Sequence, residues 1–115
     1  MSSTESREQE GFVRWFRQHY PDVVIFAIPN GGARHIHTAT ILKLEGVLPG
    51  VPDLYIPAWK LWIEIKRKDG GTVSEEQYKM IDYLRGVGDT VFIAKGATDA
   101  SRQVLDFMKV MEYEV

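Results

Sequence analysis

Along this chain the apolar positions change their spacing several times, and each change marks an element. Phe12, Trp15, Phe16 and His19 fall at i, i+3, i+4 and i+7, a stripe that predicts an amphipathic helix over residues 3–20. Ser2, Ser3 and Thr4 offer N-caps, and Pro21 stops the helix. Residues 23–28 are continuously apolar between Pro21-Asp22 and Pro29-Asn30-Gly31-Gly32, which reads as a buried strand and a tight loop. A loosely patterned helix (Ile36, Ala39, Thr40, Lys43) is expected over 33–45, followed by a turn-rich stretch to Pro52. Leu54 to Ile56 and residues 60–66 then read as a β-hairpin turned at Pro57-Ala58. Ser74-x-x-Gln77 forms a capping box for a helix over 75–85. Tyr78, Ile81 and Leu84 mark its buried face, and Gly86 and Gly88 end it. Residues 89–95 make a β-branched, aromatic strand, and 101–113 a last amphipathic helix through Val104, Leu105, Met108 and Met111. The order α-β-α-β-β-α-β-α, with a hairpin followed by a helix and a strand, implies a mixed sheet flanked by helices.

Composition narrows the class. At 115 residues the chain makes one domain, 1–115, with room for a single core. Hydrophobic residues at 44% and charged residues at 26% place it among soluble globular proteins. No apolar run has membrane-spanning length, and the N-terminus is polar and acidic rather than signal-like, so a cytoplasmic protein is expected. Cysteine is absent, which excludes disulfides and thiolate metal sites. The net charge of −2 argues mildly against nucleic-acid binding. Two divalent cations held by site acids would reverse that sign locally.

The candidate chemistry sits on the second hairpin strand. Alternation puts Leu61, Ile63 and Ile65 on one face and Trp62, Glu64 and Lys66 on the other. Asp53 can stand beside Glu64 from the neighbouring strand. Two carboxylates supply hard oxygen ligands for Mg²⁺ or Mn²⁺, and the lysine can position a water or offset phosphate charge. An ordinary solvated edge is the competing reading, but a carboxylate inside so apolar a strand is costly unless it is used.

Other candidates surround this pair. Extending the first helix's stripe backward puts Glu8 and Glu5 inward; helix-dipole complementation would account for Glu5 better than for Glu8, so Glu8 is favoured and Glu5 held second. Asn30 and Gly31 offer unencumbered backbone N–H groups near Arg34, His35 and His37, a loop able to approach phosphate. The His35-x-His37 pair has no third ligand spaced for zinc. Arg67 and Lys68 open a basic turn. Gln77 either completes the capping box or reaches a site water.

Pro52-Asp53, ten residues, then Glu64-Ile65-Lys66 resembles the PD-(D/E)xK nuclease motif. Together with Ala27-Ile28-Pro29-Asn30-Gly31-Gly32, Gly46-Val47, Gly50-Val51-Pro52-Asp53-Leu54 and Ser74-x-x-Gln77, it resembles the VRR-Nuc (virus-type replication-repair nuclease) family over most of the chain. The resemblance implies a restriction-endonuclease-like α/β fold and Mg²⁺- or Mn²⁺-dependent hydrolysis of branched DNA. It implies that Asp53 and Glu64 bind metal, with the backbone carbonyl of Ile65 completing the set, and that Lys66 is the catalytic lysine. Gln77 would be the motif glutamine and Glu8 the helix-one acid, holding a second ion or a coordinated water. Asn30, Gly31, Arg34, His35, Arg67 and Lys68 are the expected DNA contacts.

A chain this short resembles the stand-alone phage and bacterial members, which are similar to Holliday-junction resolvases and act as homodimers. Trp59, Trp62, Phe107, Met108, Met111 and Tyr113 look like more apolar surface than one small core needs, which also suits a dimer. Two rivals stand beside this reading: a flap or duplex nuclease on the same fold, and a non-catalytic DNA-binding module.

Overall fold

Thr4 begins the first helix as the pattern predicts: its hydroxyl accepts a hydrogen bond from the Arg7 amide at 3.2 Å. The computed structural model describes residues 4–29 and 36–113. Its elements are α1 (Glu5–His19), β1 (Phe26–Ala27), α2 (Ile36–Leu44), β2 (Leu54–Ile56), β3 (Leu61–Lys66), α3 (Glu75–Gly86), β4 (Thr90–Lys95) and α4 (Ala97–Tyr113). The order is the expected one. Asn30, Gly31, Arg34 and His35, the proposed phosphate-approaching loop, lie outside the described residues.

Four strands form one sheet in the order β1-β2-β3-β4. The first two pairings are antiparallel, and β3 runs parallel to β4 across the α3 connection. This is the mixed sheet flanked by helices that the element order implied.

Alternation along β3 and β4 divides the apolar residues between two faces. Leu61, Ile63, Ile65 and Ala94 join Leu54 and Ile56 against Phe12 and Phe16 of α1 and Ala100 and Val104 of α4. On the opposite face Val91, with Trp62 and Ile93 beside it, meets Ile81 and Leu84 of α3. β3 is therefore covered on both sides, which is why it reads as a nearly unbroken apolar run.

Several boundaries differ from the sequence reading, each for a local reason. The stretch 23–28 is no buried strand: only two residues pair, Val24 and Phe26 are exposed, and Ile25 is buried in the core with Val23 partly buried against it. It forms the sheet edge, with a short partner on one side only. The hairpin does not turn tightly at Pro57-Ala58. A 3₁₀ turn over Pro57–Trp59 and a left-handed Lys60 (φ 48°) lengthen it. That detour sets the Trp59 ring 5.5 Å from Phe16, 5.2 Å from Tyr20 and 6.3 Å from Phe107, between centroids.

Helix α4 starts at Ala97 rather than at 101, directly after Gly96 (φ 91°). Tyr78, expected inside, is exposed, as are Leu105 and Met111. Conversely Trp59, Phe107 and Met108 pack onto the first core and Trp62 onto the second, so the apolar surplus argued for a dimer is largely spent within one protomer. Among the described residues no helix is long and apolar enough to cross a membrane.

Candidate active site

The site is assembled where β2 begins, where β3 ends and where α3 starts. The β2–β3 register, Leu54 against Ile63, brings Asp53 alongside the Glu64 end of β3. Asp53 Oδ2 accepts a hydrogen bond from the Ile65 amide at 2.8 Å, which ties the two strand ends together. Glu64 and Lys66 then project from the same face of β3, as alternation requires. Both are buried, at 2% and 7% exposure, and Lys66 Nζ lies 3.2 Å from Glu64 Oε2.

Gln77 resolves the ambiguity left by its motif because it serves both roles. Its Oε1 accepts from the Ser74 amide at 2.9 Å while the Ser74 hydroxyl accepts from the Gln77 amide at 3.1 Å, a complete capping box. The same Oε1 also accepts from Lys66 Nζ at 2.9 Å, and Gln77 Nε2 donates to Glu64 Oε2 at 2.6 Å. The first turn of α3 therefore fixes the relative position of the acid and the lysine.

That turn is itself seated on Gly50. A Cβ there would stand 2.5 Å from the Glu76 carbonyl oxygen and 3.0 Å from the Gln77 amide nitrogen, and the φ of +88° also disfavours a side chain. Gly71 plays a similar part beside the lysine, where a Cβ would meet Lys66 Cβ at 2.9 Å. Gly50, in the stretch read as turn-rich, thus permits close approach to the backbone of α3, and Gly71 close approach to Lys66.

The electrostatics of the pair are those of crowded, half-dry carboxylates. Burial, and then the charge of Asp53, push the Glu64 carboxyl up to about 7, against an opposing pull from Lys66. Burial likewise raises Asp53; its hydrogen bond from Ile65 opposes the shift and Glu5 adds to it. Among the described residues no donor reaches the buried Glu64 Oε1, which leaves it to the neighbouring Asp53 carboxyl. An orphaned carboxylate oxygen next to a second carboxylate fits a hard divalent cation, which would restore both charges and supply the missing contact.

Among the described residues no group of three or more His, Asp or Glu side chains forms a ready-made metal centre. Two carboxylates with backbone carbonyl and water ligands remain a normal arrangement for Mg²⁺.

Of the two candidate acids on helix α1, Glu5 and not the favoured Glu8 lines the cleft. Glu8 continues the line of Phe12 and Phe16, so it is carried onto the start of α4, where its Oε1 accepts from the Ala97 amide at 2.9 Å. Glu5 instead lines an open cleft of about 1260 Å³ with Gln9, Asp53, Glu64 and Gln77. The correction follows from helical geometry: three residues rotate the side chain about 300°, enough to separate the α4 side of the helix from the cleft side.

Arg14 and Arg17 line the same cleft farther along α1; the sequence reading did not single them out. Arg67 and Lys68 are exposed just beyond β3, with Arg67 Nη2 donating to the Gly70 carbonyl at 3.1 Å.

No protein-family model matches the chain, and no curated protein matches it. A solved structure named "VRR_NUC domain protein" does superpose on it, with a TM-score of 0.77 and 24% sequence identity. The match covers 95% of this chain and 91% of that one. The fold is that of a VRR-Nuc domain. The VRR-Nuc likeness read from Asp53, Glu64-Ile65-Lys66 and Gln77 therefore extends to the whole architecture.

Proposed function

We propose that this protein is a cytoplasmic VRR-Nuc-type enzyme that hydrolyses DNA phosphodiester bonds with Mg²⁺ or Mn²⁺, and that it acts as a homodimer on four-way junctions. The orphaned, buried Glu64 Oε1 beside Asp53 carries the reading. A fold used only as a DNA-binding scaffold has no reason to keep two crowded carboxylates and a buried lysine locked together by a glutamine.

Asp53, Glu64 and the Ile65 carbonyl would hold the cation, and Glu5, on the same cleft, would bind it through water. When bound, the cation lowers the pKa of a coordinated water and polarises the phosphate. Lys66 is held between Glu64 and Gln77, and its ammonium would offset negative charge on the attacking water or the phosphate. Gln77 keeps Lys66 and Glu64 in register during turnover. Arg67 and Lys68 would contact backbone phosphates, together with Asn30, Gly31, Arg34 and His35. Two-fold symmetry of a junction suits two identical sites at a fixed separation. Exposed Ile41, Leu44 and Leu48 provide apolar surface for such a pairing.

A cleavage panel of four-way, flapped and plain duplex DNA tests the reading. Cutting is expected with Mg²⁺ or Mn²⁺, to vanish with EDTA, and to fall by at least about a hundredfold in Lys66→Met, which keeps the buried stem. Undiminished cutting in EDTA or by Lys66→Met would overturn it. Preference for flaps, together with a monomer mass by light scattering, would replace the junction reading with the flap nuclease.

A further inference from the structure

Outside the catalytic group, the strongest unassigned feature is the far part of the same cleft. We propose that Arg14 and Arg17 of α1 form a phosphate-binding track, gripping the strand whose scissile phosphate lies at Asp53 and Glu64. The proposal rests on the nuclease reading above and names the surface along which its substrate runs.

Both arginines line the cleft that also contains Asp53, Glu64 and Gln77. They stand three residues apart on one helix, so their side chains are neighbours on its surface. Among the described residues Arg14 has no hydrogen-bond or ion-pair partner, although Glu10 sits one turn away on the same cleft wall. Arg17 Nη2 donates to the Ile25 carbonyl at 3.3 Å, which anchors its guanidinium beside β1 and leaves its other donors for a ligand. A helix's C-terminal dipole explains a cation in its last turn, and Arg17 is there, but Arg14 lies before that turn. An unpaired arginine in a cleft whose other part is strongly acidic calls for an anion.

Phosphate is the anion that suits both parts. The guanidinium fork matches two phosphate oxygens, and a polyanionic strand needs fixed cations beside a site whose own side chains are carboxylates. Counted from Glu5, Arg14 and Arg17 lie about 14 and 18 Å along the helix axis. That is roughly two to five phosphates from the cleaved bond, depending on how the strand is stretched. Glu5, at the catalytic part, and Arg14, at the distal part, give the cleft a polarity that would fix which way the strand enters.

Arg14→Ala is the informative variant, since Arg14 holds no other part of the protein; Arg14→Lys keeps its charge and serves as the rescue. The first measurement is binding of a four-way DNA junction in Ca²⁺ across a salt titration. Arg14→Ala should weaken binding about three- to tenfold at low salt and reduce the salt slope by about one, with Arg14→Lys restoring the slope. The second is cleavage of substrates in which one phosphate at a time is a neutral methylphosphonate. One position two to five nucleotides from the cut should slow the wild type yet add nothing in Arg14→Ala. An unchanged slope, or methylphosphonate penalties that add to the variant's at every position, overturns the track. If Arg14→Ala lowers the slope and the wild type never cuts, the track stands and the hydrolase reading falls; if the wild type cuts and Arg14→Ala leaves the slope unchanged, the reverse holds.

Discussion

On one side of β3, Leu61, Ile63 and Ile65 meet the aliphatic and aromatic side chains of α1 and α4. On the other, Glu64 and Lys66 meet Gln77 of α3 at hydrogen-bond distance. The two sides exclude water equally well: Ile63 is fully buried and Glu64 is 2% exposed. What differs is how each side tolerates dryness. Apolar burial stabilises at about 25 cal/mol per Å² and asks nothing of its neighbours in return. A buried charge has to be partnered, and Glu64 is partnered on one oxygen only. The first side holds the fold together; the second holds a buried charged group at the expense of the fold.

Substitution at adjacent residues should separate these roles most widely. Ile63→Ala should lower unfolding free energy by about 2–5 kcal/mol while the folded fraction keeps its activity. Glu64→Ala should remove at least about a hundredfold of cleavage. Its stability should move much less, because losing the Lys66 partner is offset by relief of crowding with Asp53. Urea melts in EDTA beside single-turnover cleavage read both quantities. A Glu64→Ala protein as unstable as Ile63→Ala would place Glu64 among the structural residues.

A smaller effect sharpens the comparison through pH. Glu64 is held at about 7 in the folded chain against an ordinary 4.5. A raised carboxyl means that the folded state binds more protons than the unfolded state between those values. Its contribution to stability is therefore fully present below pH 4.5 and is lost as pH rises through about 7. In metal-free protein the loss should be on the order of 1–3 kcal/mol. Asp53→Asn keeps an acceptor for the Ile65 amide and removes the charge that raises Glu64, so its stability should vary less with pH. Mg²⁺ added at pH 8 should raise the melting temperature of the wild type and have little effect on Asp53→Asn. A wild-type stability that is flat across this range would show that the two carboxylates do not interact as described.

Helix α1 repeats the contrast on the smallest scale. Glu8 serves packing, through the Ala97 amide, and Glu5 faces the cleft. Glu8→Gln should cost about 0.5–1 kcal/mol of stability by weakening the charge at the start of α4, with activity nearly kept. Glu5→Gln should leave the melt unchanged and slow cleavage several-fold, since it would act through water. The opposite ranking would return the helix-one role to Glu8.

How legible the site was depended on how local each arrangement is. Asp53, Glu64 and Lys66 could be found because strand alternation is a property of neighbouring residues, and Ser74-x-x-Gln77 because a capping box closes within one turn. Inward on a helix covers a wide arc, and only the placement of α4 set Glu8 on the Ala97 amide and left Glu5 on the cleft. The 23–28 stretch misled because a continuous apolar run reads alike at the centre of a sheet and at an edge where alternate residues are exposed. Arg14 and Arg17 carried no signal, since an arginine on a helix surface acquires meaning only from what lies across from it.

By itself, then, the sequence determined the order of elements, the two chemically distinct faces of β3 and the acid–acid–lysine group. Hydrophobic period, caps and turn residues act over a few positions and are written directly in the chain. Tertiary structure alone decided that Gln77 would bridge Glu64 and Lys66, that Gly50 would admit the first turn of α3, and that Glu5 rather than Glu8 would reach the cleft. Each of these depends on a contact between segments distant in sequence, where a difference of one ångström or a fraction of a helical turn separates a hydrogen bond from none.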